Sequence, residues 1–128
     1  MKITVLEMRA HIERLVEEHG ITVRHVKRIR QSKCLPWDGA PPVMQFPPVR
    51  SVLTYVVALH ELGHYLGGHV NHPDTSVREL AAWKWVRANA VTWTPAMERL
   101  ATTYERREDI ELEKWERWVE ELNRWPPE

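Results

Sequence analysis

Three residues of one apolar stretch carry the clearest chemistry in this sequence. They are His60, Glu61 and His64, within Val52-Leu53-Thr54-Tyr55-Val56-Val57-Ala58-Leu59-His60-Glu61-Leu62-Gly63-His64-Tyr65-Leu66. The pattern is H-E-x-x-H. Residues four apart on a helix share a face, so His60 and His64 can both aim ring nitrogens at one ion. Glu61 stands one position round from His60. There it can face a water on the ion without being a ligand, which is the place of a general base. The stretch is apolar nearly all round and reads as a buried helix. A buried helix rarely holds two histidines and a carboxylate together unless they are paired or bind metal. The alternative is two core histidines hydrogen-bonded to backbone, with Glu61 paired to an arginine.

A catalytic zinc site takes three protein ligands and a water, so a third ligand is needed. The candidates downstream are His69, His72, Asp74 and Glu79. One zinc-protease pattern places a third histidine ten residues after the first, beyond a glycine. Gly67 fits that glycine, but the ligand position is Val70 and His69 comes one residue early. In the other arrangement a glutamate on the following helix completes the set, and Glu79 lies in the first turn of that helix. Ser76-x-x-Glu79 is also a capping-box pattern, in which the carboxylate would bond only the backbone at Ser76. Spacing alone leaves both readings of Glu79 open.

The elements that must position these residues follow from periodicity. Val5, Met8, Ile12, Leu15 and Val16 recur at helical spacing, which predicts an amphipathic helix over 4–18, ended by Gly20. From Thr22 to Arg30, β-branched residues alternate with charges, as in a strand of a half-buried antiparallel sheet. The proline- and glycine-containing stretch 31–42 reads as a loop or hairpin connection. Val43-Met44-Gln45-Phe46 reads as a second strand, stopped by Pro47-Pro48 and suited to an edge. Ser51 can cap the helix of His60, and Gly67-Gly68 can end it. Residues 69–75 form a loop, and Ser76 to about Thr92 a second long helix. Thr94-Pro95 restarts a helix with an apolar stripe of Met97, Leu100, Ala101 and Tyr104. Trp115, Trp118, Val119 and Leu122 suggest a Trp-rich C-terminal helix over about 107–125. The fold class expected is α+β, mostly helical, with a small antiparallel sheet (strands near 21–30 and 43–47) on the H-E-x-x-H helix.

Composition excludes several classes. The chain has 128 residues, 43% of them hydrophobic, which suits one domain over 1–128 with a modest core. Lys+Arg and Asp+Glu are both 18, so no overall charge argues for nucleic acid or a membrane surface. A single cysteine, Cys34, rules out an internal disulfide framework and fits a reducing compartment. The start of the chain carries charges where a signal peptide needs apolar residues. The longest apolar run, 52–59, is too short to span a bilayer. The expected location is cytoplasmic.

Tyr55 to Gly67, followed by Arg78-Glu79-Leu80-Ala81-Ala82-Trp83-Lys84-Trp85, resembles the ImmA/IrrE family of zinc metallopeptidases. The likeness covers roughly 43–100 and is closest to short members from phage and prophage genomes. Those often carry an H-E-x-G-H helix and then an R-E-x-x-A-W-x-W helix. The resemblance implies a minimal zincin-like fold, with a small antiparallel sheet beside the H-E-x-x-H helix and an acidic third ligand on a further helix. It implies His60, His64 and Glu79 as ligands of one zinc ion per chain, and Glu61 as the base. It also implies a protein or peptide substrate, such as a repressor or other regulator. Many relatives have an acidic residue directly before the helix alanine, where this chain has Ala81. Glu79 is then the only carboxylate on that helix.

Other residues have weaker signals. His69 and His72 suit a substrate contact, a proton donor or a supporting group, against the plainer reading of exposed loop histidines. Tyr65 could hydrogen-bond a developing oxyanion, but a helix tyrosine more often belongs to the core. Cys34 could block the zinc as a fourth ligand, although only its nearby proline-rich loop suggests it. Trp83 and Trp85 are not on one helical face, so one should pack on the H-E-x-x-H helix and the other be partly exposed. Strand 43–46 is near enough in sequence to line a cleft and pair with an extended substrate. Three function classes emerge. The first is a zinc-dependent peptidase. The second is a non-catalytic, zinc-containing module that binds a protein partner or a second copy through the Trp-rich C-terminal helix. A DNA-binding regulator is the third, disfavoured by the charge balance and the lack of a helix-turn-helix signature.

Overall fold

Each α-helix among the described residues starts at a side chain that takes up a free backbone N–H. Thr4 accepts from Glu7 at the start of α1 (Val5–Glu18), and Ser51 from Thr54 at the start of α2 (Val52–Leu66). Asp74 accepts from Ser76 before α3 (Thr75–Asn89), and Thr94 from Met97 before α4 (Pro95–Glu105). Each such cap is worth about 1 kcal/mol over alanine. Gly20 and Gly68, at φ 62° and 81°, take the left-handed conformation that lets the chain leave α1 and α2. These findings come from a computed structural model, which describes residues 3–37, 40–68 and 71–105. The expected C-terminal helix, with Trp115, Trp118, Val119 and Leu122, lies outside the described residues, as do His69 and Val70.

The class is α+β, as expected, but the sheet is mixed and three-stranded. Strand β1 (Thr22–His25) runs parallel to β3 (Ala40–Phe46), and β2 (Lys33–Trp37) runs antiparallel to β3. The order is β1-β3-β2. The expected all-antiparallel sheet is thus corrected, and two further expectations with it. The first strand does not continue to residue 30. The Val26 N–H still reaches the Phe46 carbonyl at 3.2 Å, but β3 then stops at Pro47-Pro48 and no strand partner remains among the described residues. The chain turns instead through a short 3-10 segment, Ile29–Gln31. The second correction concerns 43–46. This segment is the central strand, with Val43, Met44 and Gln45 paired on both sides, so it has no edge for a substrate. The stretch 31–42, expected as a loop or hairpin connection, holds β2 and the start of β3, which pair antiparallel.

Met44 and Phe46 of β3 are fully buried and join Tyr55, Val56, Leu59 and Leu62 of α2 in one core. Met8 and Ile12 of α1, Trp83 and Val86 of α3, and Met97 and Ala101 of α4 complete it. Each large apolar side chain buried this way contributes about 1.5–3 kcal/mol. Tyr55 ties three elements together. Its hydroxyl accepts the Val91 N–H at 2.9 Å and lies 2.7 Å from His11 Nδ1 of α1. Arg9 anchors the same helix through two hydrogen bonds to the Val49 carbonyl. The result is a fixed α2, against which α3 is laid. Among the described residues no helix is long and apolar enough to cross a membrane.

Candidate metal centre

The first turns of α3 face the end of α2 that carries the histidines. Asp74, not Ser76, caps α3, so Ser76 lies inside the first turn and Glu79 is not spent on a capping box. Its carboxylate reaches across to α2. Glu79 Oε2 lies 2.7 Å from His60 Nε2, and Oε1 lies 3.1 Å from His64 Nε2. The two imidazole rings are 4.6 Å apart at their centroids. Neither ring follows the alternative of a core histidine bonded to backbone through this nitrogen.

His60, His64 and Glu79 therefore each offer a donor atom, all within 4.8 Å of one another, and could hold a metal ion. The donor set fits a zinc-type site in chemistry and in spacing. Tetrahedral bonds of about 2.0–2.1 Å leave donor atoms roughly 3.3 Å apart, close to the 2.7 and 3.1 Å that separate Glu79 from His60 and His64. The electrostatics agree. Burial pushes the Glu79 carboxyl up, but hydrogen bonds from His60 and His64 outweigh it and hold it far below the ordinary carboxylate range. Burial pulls His64 down, yet the hydrogen bond and charge of Glu79 outweigh that and leave it raised. An anion is thus held between the two imidazoles, and its charge favours the protonated form of His64.

Glu61 is buried, at 6% exposure, and lines the same cleft. Its Oε1 stands 3.6 Å from His60 Nδ1, too far for a hydrogen bond. Among the described residues no arginine pairs with it, so its carboxylate stays available to the cleft. Burial raises its pKa, partly offset by His60 and His64 and reinforced by Glu79. A carboxylate so raised is a better proton acceptor than an exposed one.

The cleft encloses about 590 Å³. His60, His64, Glu79 and Trp83 line it together with Leu53, Val56 and Val57 of α2, here called its floor. The far wall is Ile29, Arg30, Ser32, Lys33 and Cys34. Trp83 is the residue whose part in the site the spacing did not reveal. It sits one turn beyond Glu79 and stacks flat on the His60 ring, at 4.4 Å between centroids and 11° between planes. Trp85 is only partly buried, packed at the core's margin, as expected of the second of the pair.

The remaining candidates are not brought into the group. His72 is buried, not exposed, because it builds the turn into α3. Its Nδ1 accepts the Asp74 N–H at 2.9 Å and its carbonyl accepts from Arg78. Asp74 is used as the cap of α3. Tyr65 packs against the core. Cys34 lines the cleft but is not among the three donors; burial, then the charge of Glu61, push its thiol up to about 12. Comparison with protein-family models, curated proteins and solved structures finds no match.

Proposed function

We propose that this protein is a zinc-dependent peptidase, with His60, His64 and Glu79 as ligands and Glu61 as general base. One observation carries the reading: a carboxylate from α3 reaches both H-E-x-x-H imidazoles at the head of a cleft that a buried glutamate also lines. Mixed His/Glu ligation favours zinc among the common divalent ions. Zinc, when bound, lowers the pKa of water and polarises a scissile carbonyl. Glu61 takes the proton from the attacking water and delivers it to the leaving amine. Trp83 holds the plane of His60. The ImmA/IrrE resemblance points the same way and adds a protein substrate.

An extended peptide would lie along β2 rather than β3. The outer edge of β2 is unpaired among the described residues, and Lys33 and Cys34 of that strand line the cleft. Strand addition there would supply backbone hydrogen bonds and lead the peptide past Glu61.

The test is metal content of untagged protein purified without added metal, beside His64→Ala, Glu79→Ala and Glu61→Gln. The expected result is about one zinc per chain, lost in the first two variants and kept in the third. Glu61→Gln must also abolish cleavage of a peptide library that the wild type cuts. No metal after incubation with zinc would sink the reading. A phenotype that survives Glu61→Gln would leave a non-catalytic binding module as the better account.

A further inference from the structure

The charge of this chain is balanced overall but not locally. From His19 to Trp37 there are five cations, Arg24, Lys27, Arg28, Arg30 and Lys33, and no carboxylate. The fold turns this stretch into β1, the 3-10 turn and β2, and its part from Ile29 to Cys34, with two of the five cations, lines the cleft. Arg30 and Lys33 are both exposed and both line it. Neither forms an ion pair with a carboxylate among the described residues. The two carboxylates that share the cleft, Glu61 and Glu79, lie against His60 and His64 instead. Leu53, Val56 and Val57 of α2 add an apolar lining to the same cleft.

We infer that the cleft selects an acidic peptide segment: an apolar side chain on the α2 floor, with a neighbouring Asp or Glu held by Arg30 and Lys33. This names the substrate class for the site proposed above and rests on that reading. The argument is complementarity. Unpaired cations at a cleft rim raise the local concentration of anionic ligands, and opposite charge across an interface sets specificity more than affinity. An apolar floor favours a peptide over a nucleic-acid backbone, which needs cations along its length and aromatic faces for its bases. Lys33 also belongs to the edge strand β2, so its side chain leaves the line along which a paired peptide would run.

The experiment uses three fluorescent peptides of equal length and equal apolar content, carrying Glu, Gln or Lys beside a central leucine. Binding is measured on zinc-loaded Glu61→Gln protein, and cleavage on the wild type. The Glu peptide should bind about tenfold tighter than the Gln peptide at low salt, with the gap closing as salt is added. Combining Arg30→Glu with Lys33→Glu should reverse the order in favour of the Lys peptide while zinc content stays unchanged. If that double variant does not fold, Arg30→Gln and Lys33→Gln must each narrow the preference. Equal affinity for the three peptides, or a preference that these changes leave intact, overturns the inference. So does tighter binding of a single-stranded oligonucleotide that is lost in the same variants. A Glu preference without any cleavage by the wild type keeps the inference and rejects the peptidase.

Discussion

Gly63 lies so close to Ala82 that a Cβ at position 63 would stand 2.7 Å from the Ala82 carbonyl oxygen. The obstacle is backbone, so no change of the Ala82 side chain can relieve it. This contact sets how near α3 comes to α2 between His60 and His64, and hence whether Glu79 can span them. Gly63→Ala should therefore force the helices apart. A cost of about 1–3 kcal/mol in urea unfolding is the expected size for such overpacking. Zinc affinity should fall with it, although no ligand has been touched. Unchanged unfolding and unchanged metal affinity would show that the crossing is not what positions Glu79.

The stack of Trp83 on His60 makes a second prediction. Trp83→Phe keeps a ring against the imidazole and should retain zinc at near wild-type affinity. Trp83→Ala should cost about 3–5 kcal/mol of stability through the space it leaves. It should also weaken zinc by about tenfold, in the range found for residues that orient a metal-binding histidine. Isothermal titration of the folded variants separates the two effects. Equal zinc affinity in Phe and Ala variants would reduce Trp83 to a core residue.

Proton and ion compete for the same ring nitrogens. His64 is raised above its ordinary value of 6.5 by Glu79, so in the ion-free protein it still holds its proton at a pH where a free histidine has lost it. Zinc binding should then release protons and weaken as pH falls through that raised value. Titration in two buffers of different ionisation heat measures the release directly. Binding that is flat between pH 8 and about 6 would contradict the pairing.

His11 supplies a pH effect on folding that is independent of the metal. Burial, then the charge of Arg14, lowers its pKa below 6.5, against a smaller opposing pull from Glu18. The folded state thus binds the proton less readily than the unfolded one. The contribution is fully present above pH 6.5 and is lost as pH falls from there through the lower folded value. His11→Gln should flatten this part of the stability profile, read as the difference between variant and wild type in urea unfolding at each pH. A variant with the same slope as the wild type would remove His11 from the account.

What the sequence determined on its own was local. The helices around 5–18, 52–66 and 95–105 were legible because caps, apolar periodicity and terminal glycines act within a few residues. His60, Glu61 and His64 were legible because a helix turns spacing directly into a shared face. Glu79 remained divided between ligand and cap, since both roles use the same spacing from the helix start. Only the docking of α3 decided it, with Asp74 taking the cap and the glycine contact at Gly63 bringing the carboxylate within 2.7 Å of His60. The strands were read less well. Alternation marks a strand but not its partner, so it could not reveal that β3 is central, that β1 lies parallel to it, or that β1 and β2 are the edge strands. The cleft walls were invisible for the same reason. Arg30, Lys33 and Cys34 meet Trp83 and the histidines only across packed elements, and such long-range contacts leave no period in the chain.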